Sequence, residues 1–492
     1  MNTPTQHLHG GKAAPFATPN GSYTRRPNVL VVLSDQQRWD TSGYAGCPLD
    51  LTPNLDRMAR RGTFADCAIT TNPLCAPARS SLQTGQYPSA TGVFRNGLGL
   101  GPGSPTMADL LDSAGYATGY IGKWHLSGRG HRAVPAECRG GYRHWLGANA
   151  LEFTSDAYRT VVFDDDDAPV ELPGYRADAL TDAAIRFLAD HHDEPFLLFL
   201  SLLEPHQQNE VNAQQAPDGY AERYEGRWVP VDIAAAGGPA HGYLGGYFGQ
   251  IKRVDECLGR LLDALHSLDL LDDTLVVFTS DHGSHFRTRN REFKRSCHDS
   301  SIRVPLVMQG PGADGGGCVA GVVSTVDVVP TVLSAVGVQP PAGVQGQSLL
   351  RRDRPAAPMA AGFAQVSESE VGRLLRTTRW KYYVAAPDAN PQQTGSSEQY
   401  VERALYDLAA DPHELANLID SVEHDPVCAE LREQLIRRIA EFEHVAARIE
   451  PAVRTRADRR PEPTVRSTRL RGERFGHQSA RQPAPAPPAA HS

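Results

Sequence analysis

The chain has 492 residues, 40% hydrophobic and 22% charged, with a mean hydropathy of −0.39. That is the composition of a globular protein able to bury a core, and it excludes a peptide-sized module and a disordered chain. The net charge is −8; nine of the 49 basic residues but only Asp458, Glu462 and Glu473 of the 57 acidic ones lie beyond Pro451, so the chain before it carries −14. An acidic body lacks the positive field of a nucleic-acid groove, and no nucleic-acid partner is expected.

At about 150 residues per domain, the length suits three domains or one large α/β enzyme with an appendage. Residues 1–26, polar and rich in Gly, Pro and Thr, read as a flexible leader. Asn28 to Leu33 (NVLVVL) is the continuous apolar, β-branched run of a strand buried on both faces. A helix follows from Thr52 through Arg61, with Pro53 as its first residue and Gly62 as its stop. Next come a helix near Thr106 to Ala114, a strand near Thr118 to Ile121, a helix from Ala177 to His191 and a strand from Phe196 to Leu203. A long amphipathic helix over Gly245 to Leu268 precedes strands at Thr274 to Thr279 and Val304 to Met308. This alternation specifies an α/β fold, a mostly parallel central sheet flanked by helices, over residues 27–359.

From about Ala360, short segments such as Trp380 to Val384 and Ala404 to Leu408, closed by a helix near Pro426 to Ala446, predict a smaller α+β subdomain over residues 360–450. The Arg- and Pro-rich stretch 451–492 is expected to be disordered. Cys47, Cys67, Cys75, Cys138, Cys257, Cys297, Cys318 and Cys428 are scattered without a CxxC pair, against a disulfide framework or a structural zinc site. The first residues lack a basic start and an apolar core, and no apolar run approaches about 18 residues, so a soluble, cytoplasmic protein without a membrane partner is expected.

Ligands of such sheets sit beyond the carboxyl ends of the strands. Four polar clusters follow apolar strands: Asp35; Lys123 with His125; Glu204-Pro-His206; and Asp281-His282. They are expected to converge on one rim. The most specific segment is Asn72-Pro-Leu-Cys75-Ala-Pro77-Ala-Arg79-Ser-Ser-Leu82-Gln-Thr84-Gly85. A cysteine just ahead of a helical stretch meets the field of the helix N-terminus, and Arg79 adds a fixed positive charge, which together favour an anionic nucleophile. A buried structural cysteine before a proline turn is the other reading of a lone Cys. The loop lacks the glycines of a protein tyrosine phosphatase loop, which is excluded.

This segment resembles the signature of the sulfatase family, Cys/Ser-x-Pro-x-Arg followed by Thr-Gly. The resemblance implies an alkaline-phosphatase-like fold and a sulfuric ester hydrolase of arylsulfatase type. It makes Cys75 the precursor of a formylglycine (3-oxoalanine) nucleophile, with Pro77 and Arg79 completing the motif read by a formylglycine-generating enzyme. Hydrated to a geminal diol, the aldehyde can attack sulfur with one oxygen and expel sulfate by collapse of the other.

Asp35 with Gln36, and Asp281 with His282, supply oxygen and imidazole donors that suit a hard divalent cation, Ca²⁺ first, with Mg²⁺ or Mn²⁺ as alternatives. Alone, either Asp is read as a turn cap. Sulfatase-like enzymes bind metal at these two places, so Asp35, Gln36, Cys75, Asp281 and His282 are the candidate ligands. The Asp-Gln and Asp-His pairs resemble the choline sulfatase and phosphonate monoester hydrolase branch.

Lys123 and His125, alternating across an extended Gly122-Lys-Trp-His-Leu126, are expected to point the same way. The resemblance implies that they contact the nucleophile and the sulfate oxygens, and it matches His206 and Lys294, upstream of Ser301-Ile-Arg303-Val-Pro305, to further family positions. Cations aimed at the sulfate stabilise the transition state, and His206 or Lys294 is the candidate acid for the departing alkoxide. Arg287 and Arg289 either read a second anion or pair internally; Arg38, Trp39 and Asp40 either wall the substrate or pack a loop. The resulting expectation is a sulfatase acting on sulfate monoesters of a small molecule or oligosaccharide, on a carbohydrate first. A phosphonate monoester or phosphodiester hydrolase using the same site, and a non-catalytic binder of anionic glycans, are the alternatives.

Overall fold

The computed structural model describes residues 26–101, 104–353, 360–452 and 460–461. The expected leader up to residue 25, and the tail beyond 452 apart from 460–461, lie outside the described residues.

The main sheet contains β1 (Asn28–Ser34), β2 (Thr63–Ile69), β3 (Ala117–Lys123), β4 (His144–Ala148), β5 (Arg159–Phe163), β6 (Pro169–Pro173), β7 (Phe196–Ser201), β8 (Thr274–Ser280), β9 (Arg303–Val304), β10 (Leu306–Gln309) and β11 (Gly317–Ser324). Its order is β11-β2-β10-β8-β1-β7-β3-β4-β5-β6, with β9 paired to β2. The central run β8-β1-β7-β3-β4 is parallel throughout, while β10, β5 and β6 pair antiparallel.

β1 shows why the centre is two-sided. Val29, Val31 and Leu33 enter one core cluster, Leu30 and Val32 the other, and all five are fully buried. Each such burial contributes about 1.5–3 kcal/mol. The helices Cys75–Thr84, Met107–Ser113 and Val328–Val336 cover the first face; Pro53–Arg61, Arg176–Asp190 and His241–Ser267 cover the second.

The second sheet is β12 (Ala361–Val366), β13 (Gly372–Thr377), β14 (Trp380–Ala385) and β15 (Gln399–Asp407), antiparallel in that order, with Arg448–Glu450 parallel to β15. The helix Asp425–Glu443 buries Cys428, Leu431, Leu435 and Ile439 among residues of this sheet. Ala364, Val366 and Leu374 pack against Cys67, Ile69 and Val322 of the main sheet. No described helix is long and apolar enough to cross a membrane.

Two local expectations are corrected. The single strand expected over Val304 to Met308 is two strands, β9 paired to β2 and β10 between β8 and β2; Pro305 has no N–H for a ladder and separates them. The extended run through His125 stops at Lys123, because His125 turns left-handed (φ 64°).

Candidate active site

β1 and β8 run side by side with Ser34 level with Ser280, so the next residues, Asp35 and Asp281, leave the sheet together. Gln36, left-handed at φ 69°, turns the chain back, and its N–H donates to Asp281 Oδ1 at 3.0 Å. On the other side of β1, Ser201 at the end of β7 is level with Gly122, the last residue but one of β3. Gly122 has φ 105°, and a Cβ there would lie 2.0 Å from Ser201 O, so only glycine fits just ahead of Lys123, where β3 ends.

Cys75 is the first residue of the helix Cys75–Thr84, every residue of which is buried. Leu74 precedes it in an extended conformation, Asn96 Oδ1 accepts from the Ala76 N–H at 3.1 Å, and the thiol sits in the field of the helix N-terminus. Burial pushes the Cys75 thiol up, but Lys123, Lys294 and His282, with a hydrogen bond from His125, outweigh it and hold the thiol well below its ordinary range.

Four donor residues, Asp35, Cys75, Asp281 and His282, offer ligand atoms all within 4.8 Å of one another. Cys75 Sγ is 3.3 Å from His282 Nε2 and 3.9 Å from Asp35 Oδ1, and His282 Nε2 is 3.6 Å from Asp281 Oδ1. His282 Nδ1 donates to Gly283 O at 3.0 Å, which leaves Nε2 as the ligating lone pair. Burial raises both carboxyls. For Asp35, Lys123, His206 and Arg79 prevail and hold it low, whereas Asp281 is pushed up by burial and by the neighbouring Asp35 carboxylate. Such crowding of like charge is relieved by a divalent cation. Gln36 Nε2 donates to Gln207 Oε1 at 2.7 Å, while Gln36 Oε1 is buried with no hydrogen-bond partner. The donor set and this orphaned oxygen fit a divalent metal.

Arg79 crosses beneath the donors. Its Nε and Nη2 reach Asp281 Oδ2 at 3.1 Å and Asp35 Oδ2 at 3.0 Å, and its Nη1 donates to Lys123 O and Ser201 Oγ at 2.8 and 2.7 Å. These bonds lock the two carboxylates to the ends of β3 and β7.

Lys123 Nζ bonds Asp35 Oδ2 at 2.7 Å and Glu152 Oε1 at 3.2 Å, with Cys75 Sγ at 3.9 Å. Lys294 Nζ lies 3.0 Å from Cys75 Sγ, 3.0 Å from His282 Nε2 and 3.2 Å from His206 Nε2. His206 Nδ1 donates to Gln207 O at 2.6 Å, which turns Nε2 toward Lys294. His125, despite its left-handed backbone, reaches the same place; its Nδ1 is buried without a partner among the described residues. A cavity of about 530 Å³ opens over Cys75, lined by His125, Glu152, His206 and Lys294 and further out by Phe153, Asn212, Arg287 and Arg291.

A model of the Sulfatase family matches residues 27–338. The chain belongs to the sulfatase family. It is 32% identical over 441 residues to an ulvan-active sulfatase of Formosa agariphila, covering 85% of this chain and 82% of that protein. It is 26% identical to an N-acetylglucosamine-6-O-sulfatase of Bacteroides thetaiotaomicron, over 86% and 88% of the two chains. The crystal structure of yidJ from Bacteroides fragilis superimposes with a TM-score of 0.74 at 26% identity, over 87% of this chain and 98% of that one. The architecture is that of the alkaline-phosphatase-like hydrolases, and the sulfatase is a sulfuric ester hydrolase.

The sulfatase thus brings Asp35, Gln36, Cys75, Arg79, Lys123, His125, His206, Asp281, His282 and Lys294 to one rim of its sheet. Other candidates are placed elsewhere. Arg38 is fully buried between Asp40 and Asp232, and Trp39 lies between the guanidinium groups of Arg38 and Arg303, so this loop packs the interior. Arg289 is buried and donates to His413 O and Glu414 O at 2.6 and 2.8 Å, so it does not line the cavity. Glu152 is a site residue of the sulfatase that the sequence does not announce: buried, it pairs with Lys123 and lines the cavity, yet in Leu151-Glu-Phe153 it carries no motif.

Proposed function

We propose that this sulfatase hydrolyses a sulfate monoester on a carbohydrate, with Cys75 matured to formylglycine and a divalent cation, Ca²⁺ by donor chemistry, bound by Asp35, Gln36, Asp281 and His282 beside residue 75. The observation that carries the reading is the convergence of Lys123 and Lys294 on Cys75, with His206 against Lys294, at a residue that opens into the cavity. The names of the ulvan-active and N-acetylglucosamine-6-O-sulfatase relatives support a sugar. So does a cavity lined with the amides of Gln207, Asn209 and Asn212, of a size within the range of about 300–1,000 Å³ usual for small-molecule sites.

Matured and hydrated, residue 75 supplies an oxygen nucleophile for sulfur and a second hydroxyl that expels the sulfate, and the bound cation supplies charge that favours ionisation there. Lys123 and Lys294 hold positive charge against the sulfate oxygens, which gather charge in the transition state more than in the ground state. The proton for the departing sugar alkoxide comes from the His206–Lys294 pair. Arg79 keeps Asp35 and Asp281 in place, and Glu152 keeps Lys123 charged and aimed.

The test is kcat/KM on a panel of sulfated sugars with their matched phosphonate and phosphodiester analogues. The reading expects sulfate release from the sugars at the higher efficiency. A large preference for phosphorus would instead assign the phosphonate monoester hydrolase alternative.

A further inference from the structure

We infer that the cavity has a second oxyanion subsite at its mouth, formed by Arg287 and Arg291, and that the substrate carries a further sulfate or carboxylate besides the ester that is cleaved. This deepens the carbohydrate-sulfatase reading and rests on it.

Four cationic side chains with permanent charge line the cavity: Arg287, Arg291, Lys294 and Arg295. Lys294 belongs to the reacting centre. Arg295 is neutralised by Glu292 and Glu368, each at 2.7 Å. Glu152, the other carboxylate of the lining, is engaged by Lys123. Arg287 and Arg291 therefore stand at the mouth with no carboxylate partner among the described residues.

Arg287 is held ready for a ligand. Phe286 is fully buried against Tyr247 and Phe293, and both Phe286 and Arg287 are left-handed (φ 49° and 63°), which swings Arg287 away from the interior. Its guanidinium lies 4.7 Å over the Phe293 ring, and Nη2 donates to Asn212 Oδ1 at 2.9 Å. Asn212 is in turn anchored, donating to Tyr243 OH at 2.9 Å. Arg287 Nε is buried without a hydrogen-bond partner. A guanidinium fixed on two sides with no carboxylate to neutralise it offers its charge to an oxyanion at little further cost in side-chain entropy. Arg291, exposed and lining the same cavity, adds a second charge. Planar carboxylate and tetrahedral sulfate can each offer a pair of anionic oxygens to a guanidinium, so the shared chemistry is a second oxyanion. Phe153, 44% exposed at the same mouth, gives the intervening sugar an apolar face.

The experiment compares three matched sugars: a monosulfated one, one with a second sulfate, and one with a uronate carboxylate. For each, kcat/KM is measured with the wild-type enzyme and with Arg287→Ala, Arg291→Ala and the double variant, and Arg287→Lys is the conservative control. The expected result is a wild-type preference for one of the dianionic sugars that falls about tenfold or more in the double variant, carried by KM, with partial recovery in Arg287→Lys. The arm showing the preference identifies the anion. Binding of the same sugars to Cys75→Ala protein, followed calorimetrically, should show the same loss without any turnover. A wild-type enzyme indifferent to the second anion, or a preference unaltered in the double variant, would overturn the subsite. Failure of the wild-type enzyme to release sulfate from all three sugars, with binding intact, would instead overturn the parent reading.

Discussion

Lys294 Nζ lies 3.0 Å from Cys75 Sγ, although 219 residues separate them in the chain. Its backbone is anchored beside the site: the Lys294 carbonyl accepts from His285 Nε2 at 3.1 Å, while His285 Nδ1 accepts from the Arg289 N–H at 3.4 Å, an arrangement of the neutral imidazole that burial favours by pushing His285 down to about 3. Lys294→Ala is therefore expected to lower kcat by about 10²–10³-fold. His206→Ala, if the pair supplies the proton, should slow sugar sulfates with poor leaving groups more than aryl sulfates with good ones. The measurement is kcat across a leaving-group series for each variant. A loss that does not vary along the series would remove His206 from proton transfer.

The crowding of Asp35 and Asp281 makes a second prediction. Chelation should abolish turnover and lower the melting temperature, and Ca²⁺ at a hundred times its Kd should restore about 2.7 kcal/mol of stability. Asp281→Asn should weaken cation affinity, read by calorimetry on the chelated protein. An enzyme that survives exhaustive chelation with unchanged kcat and Tm would contradict the assignment of these donors.

Stability against pH depends on a second buried cluster, where the two sheets meet. Asp299 accepts from Arg376 at 3.1 Å and from Lys381 at 2.5 Å, and its N–H donates to Glu414 Oε2 at 2.7 Å. Burial raises the Asp299 carboxyl, but Arg376, Lys381 and Arg303 outweigh burial and hold it well below its usual 3.8. A carboxyl depressed in the folded state stabilises the protein above its unfolded value, and that contribution is lost as pH falls below about 3.8. Asp255 and Asp327, pushed up to about 6 by burial, act in the opposite sense, and their contribution is lost as pH rises from 3.8 toward 6. Asp299→Asn should cost about 3–5 kcal/mol at neutral pH and flatten the acid limb of the profile. Thermal unfolding between pH 3 and 7 measures both, and a variant with the wild-type acid limb would contradict this role.

Much of the site is legible in the sequence because strands buried on both faces must be continuously apolar and then change abruptly. Leu33-Ser34-Asp35 and Phe278-Thr279-Ser280-Asp281 announce their own ends, and parallel pairing then sets the two aspartates side by side. What the sequence hides is what tertiary contact decides. β2 (TFADCAI) has an exposed Asp66 and two alanines, a pattern too weak to stand out, yet it pairs with three strands. Arg287 and Arg289 are two residues apart and look alike; the left-handed turn at Phe286 and Arg287 sends one to the cavity mouth and the other into the interior. Glu152 gains its meaning only from Lys123, which reaches it from the end of another strand.

The central claim is that residue 75 works as an aldehyde and not as a thiol. Its most direct test is the mass of the proteolytic peptide carrying Cys75, from protein made in its native host or with a formylglycine-generating enzyme, before and after trapping with a hydrazide. The account predicts a peptide with the mass of the aldehyde that reacts with the hydrazide, in proportion to the sulfatase activity of the preparation. Full activity in protein whose residue 75 is an unmodified thiol would contradict it.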